Sequence, residues 1–102
     1  MKTTISEKNG QMVVALIGDF DTVASNQAER DLAPLFERND IDVVVDCAEL
    51  KYISSSGLRL LLNIYKHVRD HAHSVSFTGL QPGTEPYDAL DLAGFFQLFK
   101  QK

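Results

Sequence analysis

The chain has one cysteine, Cys47, so no internal disulfide can form, and that usage fits a reducing compartment. It has no apolar run near the roughly 20 residues that cross a bilayer. The opening MKTTISEKNGQ is polar throughout and carries no apolar signal core. Basic residues are too few to outweigh acidic ones: 10 Lys and Arg against 14 Asp and Glu give a formal net charge of −4. That balance argues against nucleic-acid phosphates and anionic membrane surfaces as partners, since both need an exposed basic patch. Repeats, low-complexity segments and linkers are also missing. Together these absences predict a cytoplasmic protein with no nucleic-acid partner and no direct membrane contact. The 102 residues, 44% apolar and 24% charged, predict one domain over 1–102 with its own core.

What is present alternates between two periods. TTISEKNGQMVVALIG reads as a β-hairpin, with Asn9-Gly10 supplying the positive φ angles of a tight primed turn. Met12 to Ile17 is almost continuously apolar, as expected of a strand covered on both faces. Ala24, Ala28, Leu32, Leu35 and Phe36 then recur at helical spacing. Asp21 or Thr22 can cap that helix, and Pro34 predicts a kink or an early end. IDVVVDCAEL reads as one buried strand. Leu58, Leu61, Leu62, Tyr65 and Val68 form the apolar face of the next helix, with Arg59, Asn63, Lys66 and Asp70 opposite. SVSFTG is a further strand, and TEPYDALDLAG a short helix with Thr84 as cap, Pro86 in the first turn and Gly94 as the stop. FFQLF reads as a last strand. The predicted order is β-β-α-β-α-β-α-β, an α/β fold with a mixed, mostly parallel sheet of four to five strands packed with amphipathic helices.

The stretch ISSSGLRLLLNIYK, from Ile53, raises the functional question. A serine at a helix N-cap accepts a bond from an unpaired amide, worth about 1 kcal/mol against alanine, but one serine suffices for that. The same geometry accommodates a phosphate, because the first amides of a helix point outward and the macrodipole is positive there. Gly57, with no side chain, would let a partner approach the backbone closely.

DCAELKYISSSGLRLLLNIYK resembles the signature of STAS domains, in particular the bacterial anti-sigma factor antagonists, in which a buried strand leads to [DS]-S-[ST]-G-L at a helix start. LIGDFD resembles the segment after the family's second strand, with Gly18 and Asp21 on recurrent positions. LDLAGFFQLF resembles the closing helix-turn-strand, so the likeness runs from about Met12 to Phe99. The resemblance implies a module that binds an anti-sigma factor and so frees a sigma factor. It also implies phosphorylation of Ser55 by that anti-sigma factor acting as a serine kinase, and removal by a serine phosphatase. Asp21, Ser54, Ser56 and Gly57 are then the expected partner-binding residues. Ser54 stands where many members have aspartate, so any role of that carboxylate is missing here.

Other constellations point less far. His67, His71 and His73 read as a solvated helix end, with no third fixed ligand for a metal pair. They also lie on the order of 15 Å from Ser55 at 1.5 Å per residue, too far to serve as a hydrolase base. No G-x-S-x-G elbow is present. Asp19 and Asp21 are explained by a turn and a cap, and Cys47 by a small core residue. No catalytic residue, metal or cofactor is therefore assigned. Two other uses of the same fold stay open: an unphosphorylated subunit of a transport or lipid-handling complex, and a small-ligand module with a pocket near the serines.

Overall fold

In a computed structural model, which describes residues 1–98 and the backbone of 100–101, the chain turns first at Asn9 and Gly10. Both adopt positive φ (53° and 77°), and the hairpin they close joins β1 (Lys2–Lys8) to β2 (Gln11–Phe20) in antiparallel register, Lys8 opposite Gln11. From there the chain runs α1 (Thr22–Asp31), α2 (Ala33–Phe36), β3 (Asp42–Asp46), β4 (Leu50–Ile53), α3 (Ser55–Asp70), β5 (Val75–Thr78), α4 (Glu85–Leu92), α5 (Phe95–Leu98) and β6 (Lys100–Gln101). The sheet is ordered β1-β2-β3-β5-β6, parallel except for the first hairpin, with β4 pairing beyond the stretch where β2 meets β3. This is the mixed, mostly parallel α/β architecture expected from the alternation of periods.

Four expectations need correction. Met12, Val14 and Leu16 are buried, whereas Val13, Ala15 and Ile17 are half-buried. So β2 is fully covered on one face only, and its apolar run hides an alternation. The consecutive valines of β3, Val43, Val44 and Val45, are buried as predicted. IDVVVDCAEL is not one strand. Asp46 accepts from the Ala48 amide at 3.0 Å and Leu50 donates to Cys47 at 3.1 Å, a turn that ends β3 and starts a separate β4. The third correction concerns the end of the fold. Phe95–Leu98 of FFQLF is a helical turn, with Phe99 outside the described residues. Phe95 is buried in the core while the Phe96 ring packs at a tilt against Tyr87, centroids 4.8 Å apart. Neighbours in a strand point to opposite faces, so only a helical turn lets both aromatics pack inward. Fourth, Thr84 occupies the N-cap position but makes no side-chain cap; its hydroxyl donates to the Gln81 carbonyl.

The helices end where their chemistry predicts. α1 stops at Asp31, and Pro34 opens α2 in the first turn, where its missing amide costs nothing. Gly94 ends α4 at φ +76°. The core draws Leu16, Phe20, Leu32, Leu35, Leu61, Ile64, Phe77 and Leu90 from every layer, each 1% exposed or less. Cys47 belongs to that core at 3% exposure, and burial pushes its thiol up to about 12.

Candidate functional site

Two parallel strands end side by side and each leads into a helix. Phe20 is paired with Ile53 across β2 and β4, so Asp21 and Ser54, the next residues, are neighbours. The Ser54 amide donates to the Phe20 carbonyl at 2.8 Å, and the Ile53 amide donates to Glu85 Oε1 at 3.1 Å, tying the same strand end to α4. Each of the two residues then caps a helix. Asp21 Oδ1 accepts from the Ala24 amide at 2.8 Å and opens α1. Ser54 Oγ accepts from the Gly57 amide at 3.2 Å and opens α3. The helix starts therefore emerge from one sheet edge, as expected for parallel strands.

The serines divide the labour. Ser54 is 8% exposed and used up as a cap, which corrects its place among surface contacts. It does the capping that an aspartate at this position would also do. Ser55, the first residue of α3, is exposed, and its hydroxyl has no hydrogen-bond partner among the described residues. Ser56 is half-buried and lines a groove of about 200 Å³ between α1 and α3, with Ser25, Asn26, Glu29, Arg59 and Asn63. Asp21 is exposed beside them.

Gly57 does not face outward, which corrects the expectation that it meets a partner. It is buried, and a Cβ there would lie 2.9 Å from Ile53 Cγ1 and 3.0 Å from Phe20 Cγ. Its missing side chain lets α3 settle on the ends of β2 and β4. A leucine at this position would break that packing. The inward face of α3 is accordingly Gly57, Leu60, Leu61, Ile64 and Val68, with Leu58, Leu62 and Tyr65 partly covered. The face expected from the sequence was rotated away from Leu60 and Ile64.

The histidines lie at the far end of α3, as expected, but they are more than a solvated face. His67 Nε2 lies 2.8 Å from the Arg38 carbonyl, with its ring edge-on to Phe36, and His73 Nδ1 is 3.0 Å from Asp42 Oδ1. Asp42 also accepts from the Ser74 amide, and that bond, with His73, holds its carboxyl below the usual range. No group of three or more metal-ligating side chains occurs among the described residues.

A family model for the STAS domain matches residues 2–102. The chain belongs to the STAS domain family. BtrV of Bordetella bronchiseptica, a protein classed as an anti-sigma factor antagonist, is 29% identical over 99 residues, covering 97% of this STAS domain and 84% of BtrV. Among solved structures, an anti-sigma factor antagonist from Mycobacterium paratuberculosis superposes with a TM-score of 0.84 at 20% identity, over 98% of this chain and 83% of that one. The Bacillus cell fate determinant SpoIIAA in its phosphorylated form gives 0.73 at 14% identity, over 99% and 91%. At such identities these likenesses show the fold. The STAS domain thus carries the anti-sigma factor antagonist fold, and no helix among the described residues is long and apolar enough to cross a membrane.

Sequence reasoning missed the residues beneath the site, Phe20 and Ile53, and the opposite wall of the groove, Asn26 and Glu29. A signal for the first pair was available: an apolar residue directly precedes each cap, Phe20 before Asp21 and Ile53 before Ser54. The groove wall had no local signal, because α1 and α3 meet only through the fold.

Proposed function

We propose that this STAS domain is an anti-sigma factor antagonist controlled by phosphorylation of Ser55. The observation that carries the reading is the contrast between adjacent serines. Ser54 is buried and occupied, whereas Ser55 is exposed and, among the described residues, unoccupied at the start of α3. A hydroxyl in that position adds nothing to the cap, and it is open to a kinase. In the modification, a bond forms between Ser55 Oγ and the γ-phosphorus of ATP as the bond to ADP breaks, and the hydroxyl proton leaves to a base on the kinase. The new group brings about −1.5 to −2 charges and three acceptor oxygens.

The domain itself tolerates this charge because the unpaired amides of α3 favour an anion. A partner docked over Asp21, Ser55 and Ser56 would have to desolvate it or oppose it. A loss of about 3 kcal/mol would weaken binding roughly a hundredfold. Unphosphorylated, the domain holds the anti-sigma factor and a sigma factor is released; phosphorylated, it lets go, and a serine phosphatase resets it. On this reading the protein is a cytoplasmic binding module of a bacterium and the chemistry belongs to its partners. Incubation with ATP and a candidate anti-sigma factor kinase from the same organism, followed by intact mass and peptide mapping, tests the proposal. One phosphate on Ser55 and loss of partner binding are expected. Phosphate on Ser54 or Ser56 would refute the site, and none at all would refute the switch.

A further inference from the structure

Of the four arginines, three are engaged by neighbours. Arg30 donates to Gln27, Arg38 to Glu7 and Asp40, and Arg69 reaches Asp70 while lying over the Tyr65 ring. Arg59 is exposed and makes no ion pair or hydrogen bond among the described residues. It stands four residues after Ser55 and three after Ser56 on α3, on the wall of the groove that Glu29 faces from α1. At about 100° per residue, Arg59 lies about 40° around the helix from Ser55 and one turn further along. Side chains so placed are neighbours, with Cβ atoms about 5–6 Å apart. Among the described residues, a cation without a partner thus stands beside a hydroxyl without one, and an anion carried on that hydroxyl would join them.

We propose that Arg59 is the intramolecular receptor for a phosphate on Ser55, an inference that rests on Ser55 as the modified residue. The guanidinium presents two parallel N–H donors that match two phosphate oxygens, which a lysine ammonium at this position would not do. Two consequences follow for the docking surface. Its local charge at the start of α3 changes from +1 on Arg59 to about −1 when a dianionic phosphate is paired with it. The guanidinium also turns from the groove wall toward the helix start, so an acidic group on the partner loses its cation as it meets the phosphate. Modification then removes an attraction and adds a repulsion at one point.

Phosphoserine incorporated at position 55 during translation makes the test independent of any kinase. The phosphate is titrated by ³¹P NMR in the otherwise native chain and in the Arg59→Ala and Arg59→Lys variants. Its second ionisation, ordinarily near pH 6, should fall about 0.3 unit or more lower with Arg59 than with alanine, and lysine should recover part of the shift. The fold is common to all three, because Arg59 is exposed and alanine is the better helix former. Attraction to the amides of α3 is common as well and cancels in the difference. Superimposable titrations of the native and Arg59→Ala chains would overturn the role of Arg59. The result is separable from the kinase experiment: absence of a Ser55 phosphate there removes the switch and leaves this titration intact.

Discussion

Replacing Gly57 by alanine sets two magnitudes against each other. Alanine is favoured over glycine in a helix by up to about 1 kcal/mol, less in a first turn, so propensity alone predicts a stabilised domain. The added Cβ, however, would lie 2.9 Å from Ile53 Cγ1 and 3.0 and 3.1 Å from Cγ and Cδ1 of the Phe20 ring. Neither neighbour can yield cheaply. Ile53 is 3% exposed and Phe20 is fully buried, and the atoms in conflict lie near the roots of their side chains. Overpacking of this kind costs about 1–3 kcal/mol. The steric term outweighs propensity, and a net loss of about 1–2 kcal/mol is expected for Gly57→Ala. That corresponds to a fall in Tm of about 4–8 °C per kcal/mol in a domain of this size. Gly57→Leu adds three further carbons to the same contact and should remove most of the 5–15 kcal/mol that typically separates folded from unfolded states, roughly speaking. Thermal and urea unfolding followed by circular dichroism reads both. A Gly57→Ala protein that melts at or above the unsubstituted one would refute the inward placement of this residue.

Ser54→Ala removes the cap and leaves the buried Gly57 amide unpaired, so the urea midpoint should drop by the equivalent of about 1–2 kcal/mol. Ser55→Asp should instead leave stability unchanged or raise it by about 0.3–1 kcal/mol, since an anion suits a helix start, while partner titration shows weakened binding. Asp42 has a folded pKa below its ordinary value, owing first to the Ser74 amide and then to His73. Its contribution is therefore complete above the usual carboxylate pKa of about 3.9 and is lost as pH falls below that through the folded value. Urea midpoints measured between about pH 2 and 5 should accordingly fall less steeply with acid in Asp42→Asn than in the parent. Cys47, pushed up to about 12 by burial, should resist alkylation at about pH 8 in the native protein and react at once in denaturant.

Much of this fold was legible from residues whose chemistry acts locally. Asn9-Gly10 dictates a primed turn, three valines a buried strand, and Asp21, Pro34 and Gly94 mark helix ends by capping, by a missing amide and by positive φ. The errors arose where a distant part of the fold decided. Leu50–Ile53 carries only two buried residues and becomes a strand because the end of β2 offers it a partner. FFQLF has strand composition, but both Phe95 and Phe96 are called inward by α4 and the core. At the site, the serine row announced a helix start, yet period alone could not say which serine turns inward. That depends on Phe20, supplied from 34 residues earlier in the chain.

The pairing of β2 with β4 has a consequence for recognition. Ser55 is presented from the ends of two strands, with its neighbour Ser54 bonded to Phe20 and the Ile53 amide bonded to Glu85. Cut from the chain, a peptide spanning ISSSGLRLLL would lose both attachments and, at ten residues, would be too short to hold a helix in water. On the reading of Ser55 as the modified residue, a protein that acts on it would meet a shape held in place from beneath by Phe20, Ser54 and Glu85, and the local string of letters would carry little of the message. Specificity of this sort would reside in conformation: it would disappear on unfolding, and an unfolded chain bearing the same three serines would pass unnoticed.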